Sequence, residues 1–281
     1  MELWFTEHHN QYSKFSLKVK RQLCSVKSPF QQIDVFDTYE YGRVLVIDGF
    51  IMLTEKDEFV YHEMIVHVPM AVNLDIKNVL VIGAGDGGTL RELIRYNSID
   101  NIDLVEIDEK VVEVSKKYLH FVSSGFDDSR VNVYFKDGVQ FIKNKKNAYD
   151  LIIIDSTDPI GPGEGLFTRD FYSNCFDALK EDGILVNQCE SAYFEQDKYQ
   201  FKRAIHKLKD IFPIATAYQA NIPTYPSGLW LFGFASKKYH PIEDQKAELW
   251  KCLQLKTKYY NETLHRGAFY LPNYILEIME S

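Results

Sequence analysis

From residue 78 to residue 211, short β-branched runs take turns with segments of helical period, and this alternation limits the possible folds more than any other feature. Residues 79–82, 102–107, 131–135, 151–154 and 183–187 read as strands: brief apolar runs rich in Val and Ile. Between and after them, residues 86–96, 109–118, 138–143, 168–179 and 196–211 read as helices. Parallel strands need a long crossover, usually a helix, so such alternation winds a parallel sheet with helices on both faces. The expected class is therefore α/β, a Rossmann-like doubly wound sheet. Residues 216–221 and 229–235 supply a closing antiparallel pair. The tail carries two short helical patterns, 257–264 and 272–279.

The first 56 residues lack helical period. Runs at 14–26, 32–36, 44–47 and 51–53 look like half-buried strands, and Asp48-Gly49 is a hairpin signal. The expected division is a small N-terminal antiparallel β domain, 1–56, and a Rossmann-like catalytic domain, 57–281. A helix over 57–72 opens the second domain. Asp57 is placed to cap it, its apolar face is Phe59, Ile65, Val66, Val68 and Met70, and Pro69 is expected to bend or end it.

A net charge of −8 does not suit nucleic acid or an anionic membrane as partner, and suits a cationic ligand. The four cysteines lack metal-ligand spacing and read as free thiols in a reducing compartment. No N-terminal signal pattern and no apolar run of membrane-spanning length is present, so a cytoplasmic location is expected. His8 and His9 are adjacent and do not converge on a metal. No metal and no cofactor is expected.

Chemistry is concentrated in two stretches. The first, VLVIGAGDGG at 79–88, is a strand running into a glycine-rich turn and a helix. Gly83 permits the tight turn and Gly85 lets backbone approach a ligand. Asp86 sits where a pyrophosphate loop would avoid an anion; it repels phosphate and attracts an ammonium, which favours a nucleoside carrying an amine. Glu106, at the tip of the next strand, is placed to accept from ribose hydroxyls. Asp137 after the third strand can accept from an adenine amino group, and Gly138 leaves room for the ring. In the second stretch, LIIIDSTDPIGPGEGLF at 151–167, a buried strand releases the chain into Asp155, Asp158 and a Gly/Pro-rich loop. Two acids there are expected to hold amines, with the loop from 156 to 167 as a gate.

Together with LVIDGFIMLTEKDEFVYHEM (45–64), VEIDEKV and NIPTYPSGLW (221–230), these stretches closely resemble the spermidine synthases, the polyamine aminopropyltransferases, especially the bacterial type. The resemblance runs over nearly the whole chain. It implies a class I methyltransferase-like sheet, decarboxylated S-adenosylmethionine as cosubstrate, putrescine as the usual acceptor and a homodimer or homotetramer. It also implies that Gln31, His62, Glu106, Asp137 and Gly138 bind the adenosyl part and Asp86 the aminopropyl ammonium. Tyr61, Asp155, Asp158 and Tyr225 would position the acceptor, with Asp155 leading proton removal. Trp230 and Tyr225 would line the methylenes. Ala84 departs from the glycine found in many members.

The mechanism expected from charge is in-line displacement at the carbon beside a sulfonium, which asks for neither metal nor covalent nucleophile. An ammonium with a pKa of ~10.4 has no lone pair, and neutralising it near pH 7.4 costs roughly 4 kcal/mol. Asp155, helped by the Tyr61 hydroxyl, would take that proton. The carboxylate of ordinary S-adenosylmethionine would face Asp86 and Asp155 and be rejected. Two other readings stand beside this one: a methyltransferase on the same fold, and a non-catalytic binding protein.

Overall fold

The computed structural model describes residues 2–156 and 161–281. Strands β1 (Leu3–His8), β2 (Lys14–Lys27), β3 (Gln32–Thr38), β4 (Arg43–Ile47) and β5 (Phe50–Thr54) form an antiparallel sheet in chain order. Asp48 and Gly49 both have positive φ, 50° and 89°, as a two-residue turn matched to strand twist demands. One face of this sheet, including Val35, Leu45 and Leu53, packs on Val111, Val114 and Leu119 of the larger unit.

Next come α1 (Glu58–Val72), β6 (Asn78–Gly83), α2 (Gly88–Leu93), β7 (Asn101–Glu106), α3 (Glu109–Tyr118), β8 (Val131–Phe135), α4 (Gly138–Ile142) and β9 (Tyr149–Asp155). They are followed by α5 (Arg169–Ala178), β10 (Leu179–Gln188), α6 (Glu195–Ile211), β11 (Ile214–Asn221) and β12 (Leu229–Ser236), then by α7 (Ala247–Cys252), α8 (Glu262–Ala268) and α9 (Asn273–Glu280). The second sheet runs β11-β12-β10-β9-β6-β7-β8. It is parallel except where β12 pairs with β10 and β11. Alternate side chains enter opposite cores. Val79, Val81, Leu151 and Ile153 pack on the α1 side, and Leu80, Ile82, Ile152 and Ile154 on the α5–α6 side. This is the Rossmann-like sheet that the alternation implied, with the methyltransferase-like build that the resemblance implied.

The winding reverses between β6 and β9, so a crevice opens at their carboxyl ends. There Gly83 lies in register with Asp155. Among the described residues no helix is long and apolar enough to cross a membrane.

Several local expectations are corrected. The helix after the glycine turn begins at Gly88, not Asp86, because Gly87 is left-handed at φ 91°. Pro69 does not end α1, which continues to Val72. The Asp57 carboxylate does not cap that helix; it accepts from Thr54 and Thr224 instead. In the tail, α8 starts later than the 257–264 pattern, capped by Asn261.

Candidate active site

Asp155 ends β9, and its backbone carbonyl accepts from Ala84 N at 2.8 Å. Gly83 has φ +88°, and a Cβ on it would lie 2.0 Å from that carbonyl oxygen, so only glycine fits. The two chemical stretches are thereby joined backbone to backbone. The Asp155 side chain accepts from Tyr61 Oη at 2.7 Å and from Thr89 Oγ1 at 2.6 Å. Burial and the charge of Asp86 raise its pKa, with His62 and the two hydroxyls acting in the other direction. A carboxylate raised in this way is a better proton acceptor near neutral pH.

Asp86 curls back to accept from Gly88 N at 2.7 Å and faces His62 Nε2 at 3.2 Å. Burial works against its ionisation, but His62 and the backbone N–H groups of Gly88 and Asp86 together outweigh burial and hold its pKa below the usual range. His62 Nδ1 lies 2.7 Å from Glu58. One side-chain nitrogen or oxygen from each of His62, Asp86 and Asp155 lies within 4.8 Å of the others. Expected on the nucleoside side, His62 has both ring nitrogens against carboxylates.

On the other side of the glycine turn, Glu106 ends β7 and accepts from Asp108 N at 2.8 Å. Burial pushes its pKa up to about 7, against the backbone hydrogen bonds that favour its charge. Gln31, in the loop between β2 and β3, donates to Asp108 at 3.0 Å. Asp137 caps α4 by accepting from Val139 N at 2.8 Å. These residues, with Gly85 and Gly138, line the same cavity as Asp155, Asp86, Tyr61 and His62.

Tyr225 and Trp230 also line that cavity, their rings 4.7 Å apart and edge-on. The Tyr225 hydroxyl donates to Met52 O at 2.6 Å, which ties this loop to β5. Trp230 is buried, and its indole N–H has no acceptor among the described residues. Asp158 lies outside the described residues, as does 157–160 of the loop expected to act as a gate. The following segment, Gly161–Phe167, is a 3-10 turn, and Leu166 reaches the cavity. Four residues were not expected here: Thr89, which donates to Asp155, Gln188 and Glu7, which line the cavity, and Glu58, which lies against His62. The first three carried no local signal. Glu58 stands four residues before His62 on a helix, a spacing that brings side chains together.

A family model described as the spermine/spermidine synthase domain matches residues 58–246, and one described as the spermidine synthase tetramerisation domain matches 3–55. The chain belongs to the spermine/spermidine synthase family. It is 61% identical over 280 residues to the polyamine aminopropyltransferase of Alkaliphilus oremlandii, covering 100% of this chain and 99% of that one. It is 60% identical to the corresponding protein of Clostridium botulinum strain Eklund 17B, covering 99% and 98%. Among solved structures, spermidine synthase in complex with the transition-state analogue AdoDATO superposes with a TM-score of 0.96 at 42% identity, covering 99% of this chain and 95% of that one. Spermidine synthase from Thermotoga maritima gives 0.93 at 40% identity, covering 99% and 94%. These superpositions cover 99% of this chain and so extend through both sheets.

Proposed function

We propose that this aminopropyltransferase of the spermine/spermidine synthase family moves the aminopropyl group of decarboxylated S-adenosylmethionine to putrescine. The products are spermidine and 5'-methylthioadenosine. The observation that carries the reading is the Asp155 carboxylate, held by Tyr61 and Thr89 beside Asp86 at the mouth of the parallel sheet. Asp155 takes a proton from the acceptor ammonium, and the freed lone pair attacks the propyl carbon next to sulfur. The C–S bond breaks, its electrons stay on sulfur, and the thioether leaves neutral. Asp86 holds the propyl ammonium. Glu106 accepts from the ribose, and Asp137 and Gly138 with Gln31 enclose the base. Tyr225 and Trp230 flank the acceptor methylenes, and Asp158 receives the distal ammonium.

The N-terminal β domain, taken as 1–56, is assigned a second role in assembly as a homo-oligomer, a dimer or tetramer. The edge strand β1 exposes about half of Leu3 and of Trp4, 50% and 52%, which an interface would cover. A cytoplasmic location fits the free cysteines.

The test is a panel of diamines with decarboxylated and ordinary S-adenosylmethionine, read by product mass. Aminopropyl-putrescine from the decarboxylated form alone is expected; methyl transfer would sink the reading. Asp155→Asn should lower kcat by about 10²–10⁴-fold. It should leave binding of 5'-methylthioadenosine nearly intact in calorimetry, and a near-normal kcat removes Asp155 as the base.

A further inference from the structure

Glu58 is buried on α1 and does not line the cavity, yet it is joined to the reacting groups through a single side chain. Its Oε2 meets His62 Nδ1 at 2.7 Å, and His62 Nε2 meets Asp86 at 3.2 Å. A neutral imidazole carries one N–H, so it can donate from only one nitrogen. Ionised carboxylates only accept, so a neutral ring would turn a lone pair on one of them. Both contacts are satisfied only by the doubly protonated ring.

The geometry fixes each neighbour of that cation. Arg91 grips Glu58 at two points, Nη1 to Oε1 at 2.8 Å and Nη2 to Oε2 at 2.9 Å. Arg91 is itself held by Phe121 O at 2.8 Å. The ring lies against the backbone of the glycine turn: a Cβ on Gly88 would come within 2.2–2.4 Å of three His62 ring atoms. The result is a chain of alternating charge, Arg91, Glu58, His62, Asp86, that ends where the substrates' cations must sit.

We propose that Glu58 is a positioning residue that, through His62, holds a fixed imidazolium against Asp86 and Asp155 and so keeps both carboxylates open to substrate cations. The role rests on reading this cavity as an aminopropyl-transfer site. Two carboxylates this close repel, and one of them tends to keep a proton near neutrality. A cation beside both opposes that tendency. Among the described residues, the ionisable groups facing the ring are Glu58 and Tyr61 from α1, Asp86 from the glycine turn and Asp155 from β9, with Arg91 of α2 behind Glu58. Burial alone would discharge the ring, but Asp86 and Glu58 overcome it and raise the His62 pKa to about 10.

The test uses full-length Glu58→Gln with two readouts. In ¹⁵N-histidine spectra, with His62 assigned by its loss in His62→Gln, both wild-type ring nitrogens should stay protonated through pH 8, and Glu58→Gln should show a neutral ring there. In kinetics at saturating diamine, the acidic limb of kcat/KM for decarboxylated S-adenosylmethionine should move up by about one pH unit. A role in stability alone predicts an equal loss at every pH and an unchanged ring, and that outcome overturns the proposal. If Glu58→Gln does not fold, His62→Gln carries the same kinetic test, and an unmoved limb there overturns it too. Absence of aminopropyl transfer by the wild type would instead sink the functional reading, while the spectra would still report on the ring.

Discussion

At the scale of single residues, Glu106 shows how burial leaves a pH signature. Its pKa of about 7 stands above the unfolded value of ~4.3, because burial penalises the charge. A carboxyl raised on folding adds stability below its unfolded pKa, and that stability is lost as pH rises through its folded pKa. In the proposed site Glu106 accepts from ribose hydroxyls, and the ionised carboxylate is the stronger acceptor. Calorimetric affinity for 5'-methylthioadenosine should therefore fall about tenfold between pH 8 and pH 6. Glu106→Gln should bind weakly at every pH without that trend, while its melting temperature at pH 8 matches or exceeds wild type. A wild-type affinity flat over this range would show that ionised Glu106 is not the acceptor. Position was legible here because strand ends fix where acids emerge: Asp155, Glu106, Asp86 and Asp137 all reach one cavity. Pairing was not. That His62 turns to Asp86 depends on a glycine turn that passes α1 too closely for any side chain at Gly88.

Among the elements, β6, β7 and β8 were read to within a residue and β9 to within two, because short Val- and Ile-rich runs mark them; β10, expected at 183–187, begins at Leu179, because Lys180, Glu181 and Asp182 hide its start. Helix α1 was harder. Its sequence suggested one apolar face, but nearly the whole helix is buried, including His62, Glu63 and His67. Sheet, α2 and the C-terminal segment surround it, and no local pattern announces that. Asp57 shows the same limit: it has a capping residue's place, but its Oδ2 accepts both N–H and Oγ1–H of Thr224, at 3.1 and 2.7 Å. This contact fastens the loop carrying Tyr225, whose hydroxyl binds Met52 O. Thr224→Val removes one buried donor and should cost about 1 kcal/mol of stability. Steady-state kinetics should show a several-fold rise in KM for the diamine with little change in KM for the nucleoside. Equal effects on both substrates would show that the loop does not serve the acceptor alone.

Across the whole molecule, α1 joins the chemistry to the C-terminal tail. Tyr61 and His62 face the cavity, while the next residue, Glu63, points away and gathers three backbone donors. Lys258 N meets Oε1, and Tyr259 N and Tyr260 N meet Oε2, each at 2.8 Å. Nearby, His67 and the Trp250 indole meet on the Tyr96 hydroxyl, at 2.7 and 2.9 Å. The tail thus clamps the back of the helix whose front holds Tyr61 at Asp155. Glu63→Gln puts an amide NH₂ where an acceptor is needed and leaves a buried N–H unmatched, a loss of about 1–3 kcal/mol. For a chain of this size that is several degrees of melting temperature, at roughly 2–4 °C per kcal/mol. The activity should suffer more than the fold. Displacing a catalytic group by about 1 Å can cost 10²-fold in rate. Glu63→Gln should therefore lower kcat at 25 °C, while 5'-methylthioadenosine still binds on the side proposed for it, across the glycine turn. A lower melting temperature with kcat unchanged would mean that the tail stabilises the protein without setting where α1 holds Tyr61.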